Sequence, residues 1–216
     1  MSETLIAESD FVLFVDLARI DSFVSIAATR EMITGITYPL RLLPLNHQLG
    51  NVAEDVKSQE QELQGYKARR AYARAANLAA ERRRDYARLG LTATDRKLPQ
   101  EVTYAHLGLL YLDQCQAELA EKFSYLDAYL RIALHLGGEP VPDAEVDATL
   151  AGLGGQWADS GLESMAEQMT RLDDEISTKG ILSAPAFFLK GQRYIGQQHL
   201  PYLNWTLSGC NGVAPV

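Results

Sequence analysis

Cysteine is nearly absent. The 216 residues hold two, Cys115 and Cys210, and neither belongs to a C-x-x-C pair. Dithiol redox chemistry therefore has no local motif, and both residues are expected to be reduced thiols packed like small apolar side chains. The four histidines, His47, His106, His135 and His199, lack the spacing of a metal-binding set, so no metal is expected. No apolar run approaches the ~20 residues that cross a bilayer. The opening MSETLIAESDF is acidic where a signal peptide would be basic and then apolar. A cytoplasmic protein without a membrane partner is the expectation, and the Asn204 sequon NWT is then meaningless. Positive charge is also short: 20 Lys and Arg against 28 Asp and Glu leave a net charge of -8. That field would repel a phosphate backbone, so no nucleic acid is expected as a partner.

The chain is 47% hydrophobic and 22% charged, enough for one sizeable core or a core with a large insertion. FVLFVDL, residues 11–17, reads as a strand buried on both faces. IDSFVSIAATREMI follows with Phe23, Ile26, Ala27 and Ile33 at helical spacing and Asp21 or Ser22 as its cap. ITYPLRLLPL alternates Ile36, Tyr38, Leu40 and Leu42 as a second strand, with Pro39 marking an edge position or a bulge. A β-α-β unit of this length implies parallel strands and a right-handed crossover.

From about residue 50 to 160 only helical signals remain. An Ala- and Arg-rich helix is expected over 65–89, ended by Gly90, then EVTYAHLGLLYLDQC, then AELAEKFSYLDAYLRIALHLGG ended by Gly137 and Gly138. PDAEVDATLAGLGG is a short helix entered through Pro142. SGLESMAEQMTRLDDEISTKG places Ser160 and Glu163 in capping-box spacing and closes on Gly180. AFFL, a KGQ turn and RYIG then form a hairpin, and QHLPYLNWTL is a last helix. The order is β-α-β, helical insertion, α-β-β-α. The expected division is residues 1–50 and 160–216 as one domain, with 51–159 inserted.

That order, with Pro185 directly before AFFL, resembles an α/β thioredoxin-like fold carrying an all-helical insertion. FVDLARIDSF, PLNHQLGN and SAPAFFLKGQRYIGQQHL are similar to the DsbA-type branch that includes 2-hydroxychromene-2-carboxylate isomerases and kappa-class glutathione transferases. The resemblance implies a cis Ala184-Pro185 bond beside the N-terminus of the first helix, with the Ala184 backbone facing an extended thiol peptide such as glutathione. In the isomerases and transferases that N-terminus carries SPYS, whose first serine binds the thiolate. RIDS stands here, with Arg19 at the serine position and Ser22 at that of the second cysteine of the disulfide oxidoreductases. Disulfide exchange is excluded at this position, because no thiolate is available.

Arg19 as a fixed cation and Ser22 as a donor are the candidate catalytic residues, against the plainer alternative of a solvated arginine and a capped helix. The resemblance also places Asn51, Arg69, Gln197 and Gln198 around glutathione. Gln198 replaces an aspartate that would pair the ligand's ammonium, which weakens the site about ten- to hundredfold. The implied partner is an aromatic or anionic small-molecule substrate, and a homodimer is the candidate assembly. Thus a glutathione- or thiol-dependent isomerase or transferase stands beside a non-catalytic binding protein of the same fold.

Two further features carry alternatives. Lys67, Arg69, Arg70, Arg74, Arg82, Arg83, Arg84 and Arg88 make one helix basic: a solvated face, a patch that attracts an anionic substrate, or, least supported for want of a motif or aromatic platform, a nucleic-acid contact. Tyr104, Tyr111, Tyr125 and Tyr129 are core residues or the lining of an aromatic pocket.

Overall fold

The computed structural model describes residues 4–34, 38–46, 97–155 and 159–215, with 77, 80–81, 83–84 and 86–91 between them. Residues 1–50 and 96–216 form one compact unit and 51–95 a second. In the second unit the described residues from 77 to 88 are helical, and Arg83, Arg84 and Arg88 are exposed. The remainder of the helix expected over 65–89 lies outside the described residues.

The larger unit begins with β1 (Phe11–Val15), α1 (Ile20–Met32) and β2 (Leu40–Pro44). Helices α2 (Thr103–Gln114), α3 (Leu119–Leu136), α4 (Asp143–Gly152) and α5 (Asp159–Thr178) follow. The hairpin β3 (Ala186–Leu189) and β4 (Gln192–Ile195) leads through a short turn of helix, Gln197–His199, into α6 (Leu200–Leu207). The order of elements is the one expected from the sequence.

The sheet runs β2-β1-β3-β4, with β1 parallel to β2 and antiparallel to β3. β1 is buried along its whole length, as its unbroken apolar run requires. One face of the sheet, including Val12, Phe14, Leu43 and Phe188, packs against Leu107 of α2 and Leu172 of α5. On the opposite face Phe11 stacks on Phe187 with ring centroids 6.4 Å apart. Pro39 precedes β2, which is an edge strand, so its missing N–H interrupts no ladder. Lys190 and Gly191, with φ of 50° and 75°, make the two-residue turn that the right-handed twist of a hairpin favours.

Several local expectations are corrected. The second strand starts at Leu40, later than the alternation suggested; Tyr38 turns aside, and its hydroxyl donates to the Ser9 carbonyl at 2.6 Å. Ile36 lies outside the described residues. α1 has Arg19 as its N-cap and no side-chain cap, so neither Asp21 nor Ser22 caps it. α5 already includes Asp159, so Ser160 is inside its first turn rather than at the cap. A capping box does occur, at the start of α3, between Glu118 and Glu121. Both cysteines are exposed rather than packed, because Cys115 ends α2 and Cys210 lies beyond α6.

The inserted helices are tied to the sheet by charge. Asp113 of α2 accepts from Arg41 of β2 at 2.7 Å and from Lys122 of α3 at 2.7 Å, while Arg41 also reaches Asp10 at 2.8 Å and the Leu5 carbonyl at 2.8 Å. Lys122 and Asp113 are only 6% and 8% exposed, so each depends on the other for solvation. Burial alone would lower the Arg41 guanidinium; the hydrogen bonds and charges of Asp113 and Asp10 outweigh it and hold Arg41 above its ordinary value. α2 and α3 also touch closely at Gly108, where a Cβ would lie 2.5 Å from the Tyr125 hydroxyl oxygen. Only glycine lets that tyrosine reach the Ala105 carbonyl, to which it donates at 2.7 Å.

Candidate functional site

The register of the sheet decides which loops meet. Phe14 of β1 pairs with Ala186, the first residue of β3, and Val15 pairs with Pro44, the last of β2. The loop from β1 into α1, the residues after β2 and the Ala184-Pro185 segment therefore share one end of the sheet. Gly196 joins them, its N–H donating to the Pro185 carbonyl at 2.9 Å, so Gln197 and Gln198 follow at the same end. The Ala184-Pro185 bond is cis, and both residues are buried.

The loop between β1 and α1 is fully committed internally. The Asp16 N–H donates to Ser22 Oγ (3.0 Å), the Leu17 N–H to His106 Nε2 (3.0 Å), the Ala18 N–H to Asp16 Oδ1 (2.9 Å) and the Arg19 N–H to the Asp16 carbonyl (3.1 Å). Ser22 is thus a fully buried bracket for the loop, its oxygen turned to the Asp16 backbone N–H. Arg19 is half-exposed and pairs with Asp21 at 3.4 Å. The N–H groups of Ile20 and Asp21, orphans of every helix N-terminus, meet no side-chain cap.

No local pattern marks His106 as the anchor of this loop, because its partner is 89 positions away. It is 1% exposed, and burial pushes its pKa down to about 3 against the opposing charge of Glu101. The neutral ring is what allows Nε2 to accept. No local pattern marks Asp173 either. It hydrogen-bonds Asn46, just beyond β2, and burial pushes its carboxyl up to about 6, with the Asn46 bond opposing and the charge of Asp174 adding. A carboxyl poised near neutrality therefore stands at this end of the sheet.

Of the expected ligand residues, Arg19, Ser22, Ala184, Pro185, Gln197 and Gln198 come to one end of the sheet, while Asn51 and Arg69 lie outside the described residues. Gln198 folds back, donating to the Ile195 carbonyl at 2.6 Å. The tyrosines divide: Tyr125 is core, Tyr111 packs at the core margin, and Tyr104 donates to Asp147 at 2.9 Å on the surface. Tyr129 stacks on Phe23 of α1 at 6.4 Å with its hydroxyl buried and unpartnered, and burial followed by the charges of Asp16 and Glu101 pushes that phenol well up. An orphaned buried hydroxyl costs about 1–3 kcal/mol. Tyr129→Phe is therefore expected to raise the thermal midpoint, whereas Tyr125→Phe, which removes a satisfied buried hydrogen bond to the Ala105 carbonyl, is expected to lower it. Equal shifts in a melting experiment would contradict that assignment.

Among the described residues no group of His, Cys, Asp and Glu could hold a metal ion, and no helix is long and apolar enough to cross a membrane.

No family model matches the sequence, and no curated protein matches it. Solved structures are similar, two of them over nearly the whole chain. A 2-hydroxychromene-2-carboxylate isomerase superposes with a TM-score of 0.60 at 13% identity, covering 92% of this chain and 94% of its own. A probable DsbA oxidoreductase from Streptomyces coelicolor gives 0.58 at 17% identity, covering 96% and 93%. At such identities the likeness is one of fold, and it spans nearly the whole of each chain.

Proposed function

We propose, from the thioredoxin-like fold with a helical insertion that this chain shares with an isomerase and a DsbA-type protein, that it is a glutathione- or thiol-dependent isomerase or transferase. Its ligand would lie at the sheet end described above, and its substrate would be an aromatic or anionic small molecule. The observation that carries this reading is the uncapped N-terminus of α1 beside a half-exposed Arg19. Two free N–H groups, the helix dipole and a guanidinium converge where a thiolate or carboxylate would be stabilised. The Ala184 backbone, which hydrogen-bonds to no other described residue, would pair with the extended peptide of the ligand. Cytoplasmic location, homodimeric assembly and the lack of a nucleic-acid partner belong to the same proposal.

One observation favours the second reading, a non-catalytic binding protein without disulfide oxidoreductase activity. Ser22, the hydroxyl expected to assist the thiol, is consumed inside the loop, and Asp21 already presents a carboxylate to Arg19. Calorimetric titration with glutathione separates the two. Arg19→Ala is expected to weaken binding about ten- to hundredfold, the loss of one charge-assisted partner. Asp21→Asn, which frees the guanidinium from an exposed pair, is expected to strengthen it about two- to fivefold. No heat at millimolar glutathione, together with no isomerase or conjugating turnover, would remove the enzymatic reading and leave the binding one.

A further inference from the structure

The inserted helix α3 has two unlike flanks. Phe123, Tyr125, Leu126, Tyr129 and Ala133 fill the buried one. Ala128, Arg131, Ile132, His135 and Leu136 recur at three- and four-residue spacing along another side, and with Pro142 and Glu145 at the start of α4 they enclose a groove of about 540 Å³. That volume lies within the roughly 300–1,000 Å³ usual for small-molecule sites. Ala128, Ile132 and Leu136 are half-buried, so the floor is hydrocarbon that a ligand could still cover.

The rim is charged unevenly. Arg131 and His135 stand one turn apart and exposed. Arg19, Arg30 and Arg41 each pair with an aspartate, whereas Arg131 makes no ion pair among the described residues, in a chain with eight more acidic than basic groups. Glu145, across the groove, lies in the first turn of α4 and comes within 4 Å of neither basic side chain.

We propose that this groove is a second binding site, for an amphipathic carboxylate: hydrocarbon laid over Ala128, Ile132, Leu136 and Pro142, and the carboxylate on the Arg131 guanidinium. A planar guanidinium receives a carboxylate through two parallel hydrogen bonds, which a neutral alcohol cannot make, so charge rather than bulk sets the selectivity. Phe23 of α1 packs on Tyr129 along the other flank of α3, and the groove stands independently of the site at the start of α1.

The test titrates the full chain with 8-anilinonaphthalene-1-sulfonate, then competes the dye with decanoate, decanol and decyltrimethylammonium. Saturable dye binding is expected, displaced by decanoate at least about tenfold more readily than by decanol and not by the cation. Arg131→Glu should weaken both dye and decanoate about tenfold or more while leaving the unfolding midpoint unchanged, since the side chain is exposed. Ile132→Glu should do the same through the floor. Equal displacement by decanol, or unchanged affinity in Arg131→Glu, would overturn the proposal. So would a concentration-dependent dimer in sedimentation equilibrium that Ile132→Glu dissociates, because the groove would then belong to a second copy of the chain.

Discussion

Asp113→Ala should destabilise the fold by about 3–5 kcal/mol, the usual cost of removing one partner from a buried ion pair. The loss arises less from the attraction removed than from the charge left behind. Lys122, 6% exposed, would keep an ammonium in the interior with no carboxylate, and Arg41 would lose its closest partner. The double variant Asp113→Ala, Lys122→Met should recover part of the loss, because a well-packed apolar pair is often as stable as the ion pair it replaces. Arg41 retains Asp10 at 2.8 Å in both. Urea unfolding of the two single variants and the double variant measures this directly. A loss below about 1 kcal/mol in Asp113→Ala would mean that water reaches the pair and that it behaves as a surface bridge.

The second large effect is expected with pH. His106 is neutral in the fold with a pKa of about 3, against 6.5 for an ordinary histidine. Between those values the unfolded chain binds a proton that the folded chain refuses. Stability is therefore whole above about pH 6.5 and falls as the pH drops, by about 1.4 kcal/mol per unit, and on the order of 5 kcal/mol across the window. Asp173 acts in the opposite sense. Its carboxyl, raised to about 6 from 3.8, takes up a proton in the fold before it would in the unfolded chain, so acidification through that range favours the fold. The wild-type profile is the sum of the two. Comparing it with His106→Gln isolates the histidine, since glutamine can still accept from the Leu17 N–H but does not titrate. Unfolding free energies at pH 7, 6 and 5 that fall in parallel for both proteins would rule out His106 as the source.

These two sites also mark where sequence reasoning stopped. The strands, the hairpin turn and the glycine-ended helices were legible because their causes are local: apolar runs, φ > 0 at Gly137 and Gly191, a proline before β3. The bond from Leu17 to His106 and the bond from Arg41 to Asp113 join residues 89 and 72 positions apart, and no short-range pattern announces them. Ser22 shows the same limit at closer range. A serine near a helix start is ordinarily a cap, and its role as acceptor for the Asp16 N–H depends on how the loop folds back over it. The cysteines were misplaced because the general preference of free thiols for the interior gave way to their positions at the ends of α2 and α6. The candidate ligand residues were found through resemblance, and the structure adds which of them are already occupied.

That occupation separates two kinds of position within four residues. Ser22 holds the loop and offers nothing outward, while the Arg19 side chain is half-exposed and makes only a weak pair with Asp21. Substitution at 22 disturbs the frame and leaves the exposed chemistry alone; substitution at 19 does the reverse. The side chain at position 19 can therefore be exchanged without renegotiating the architecture that presents it. Evolvability at position 19 is a property of the hydrogen bonds made at position 22.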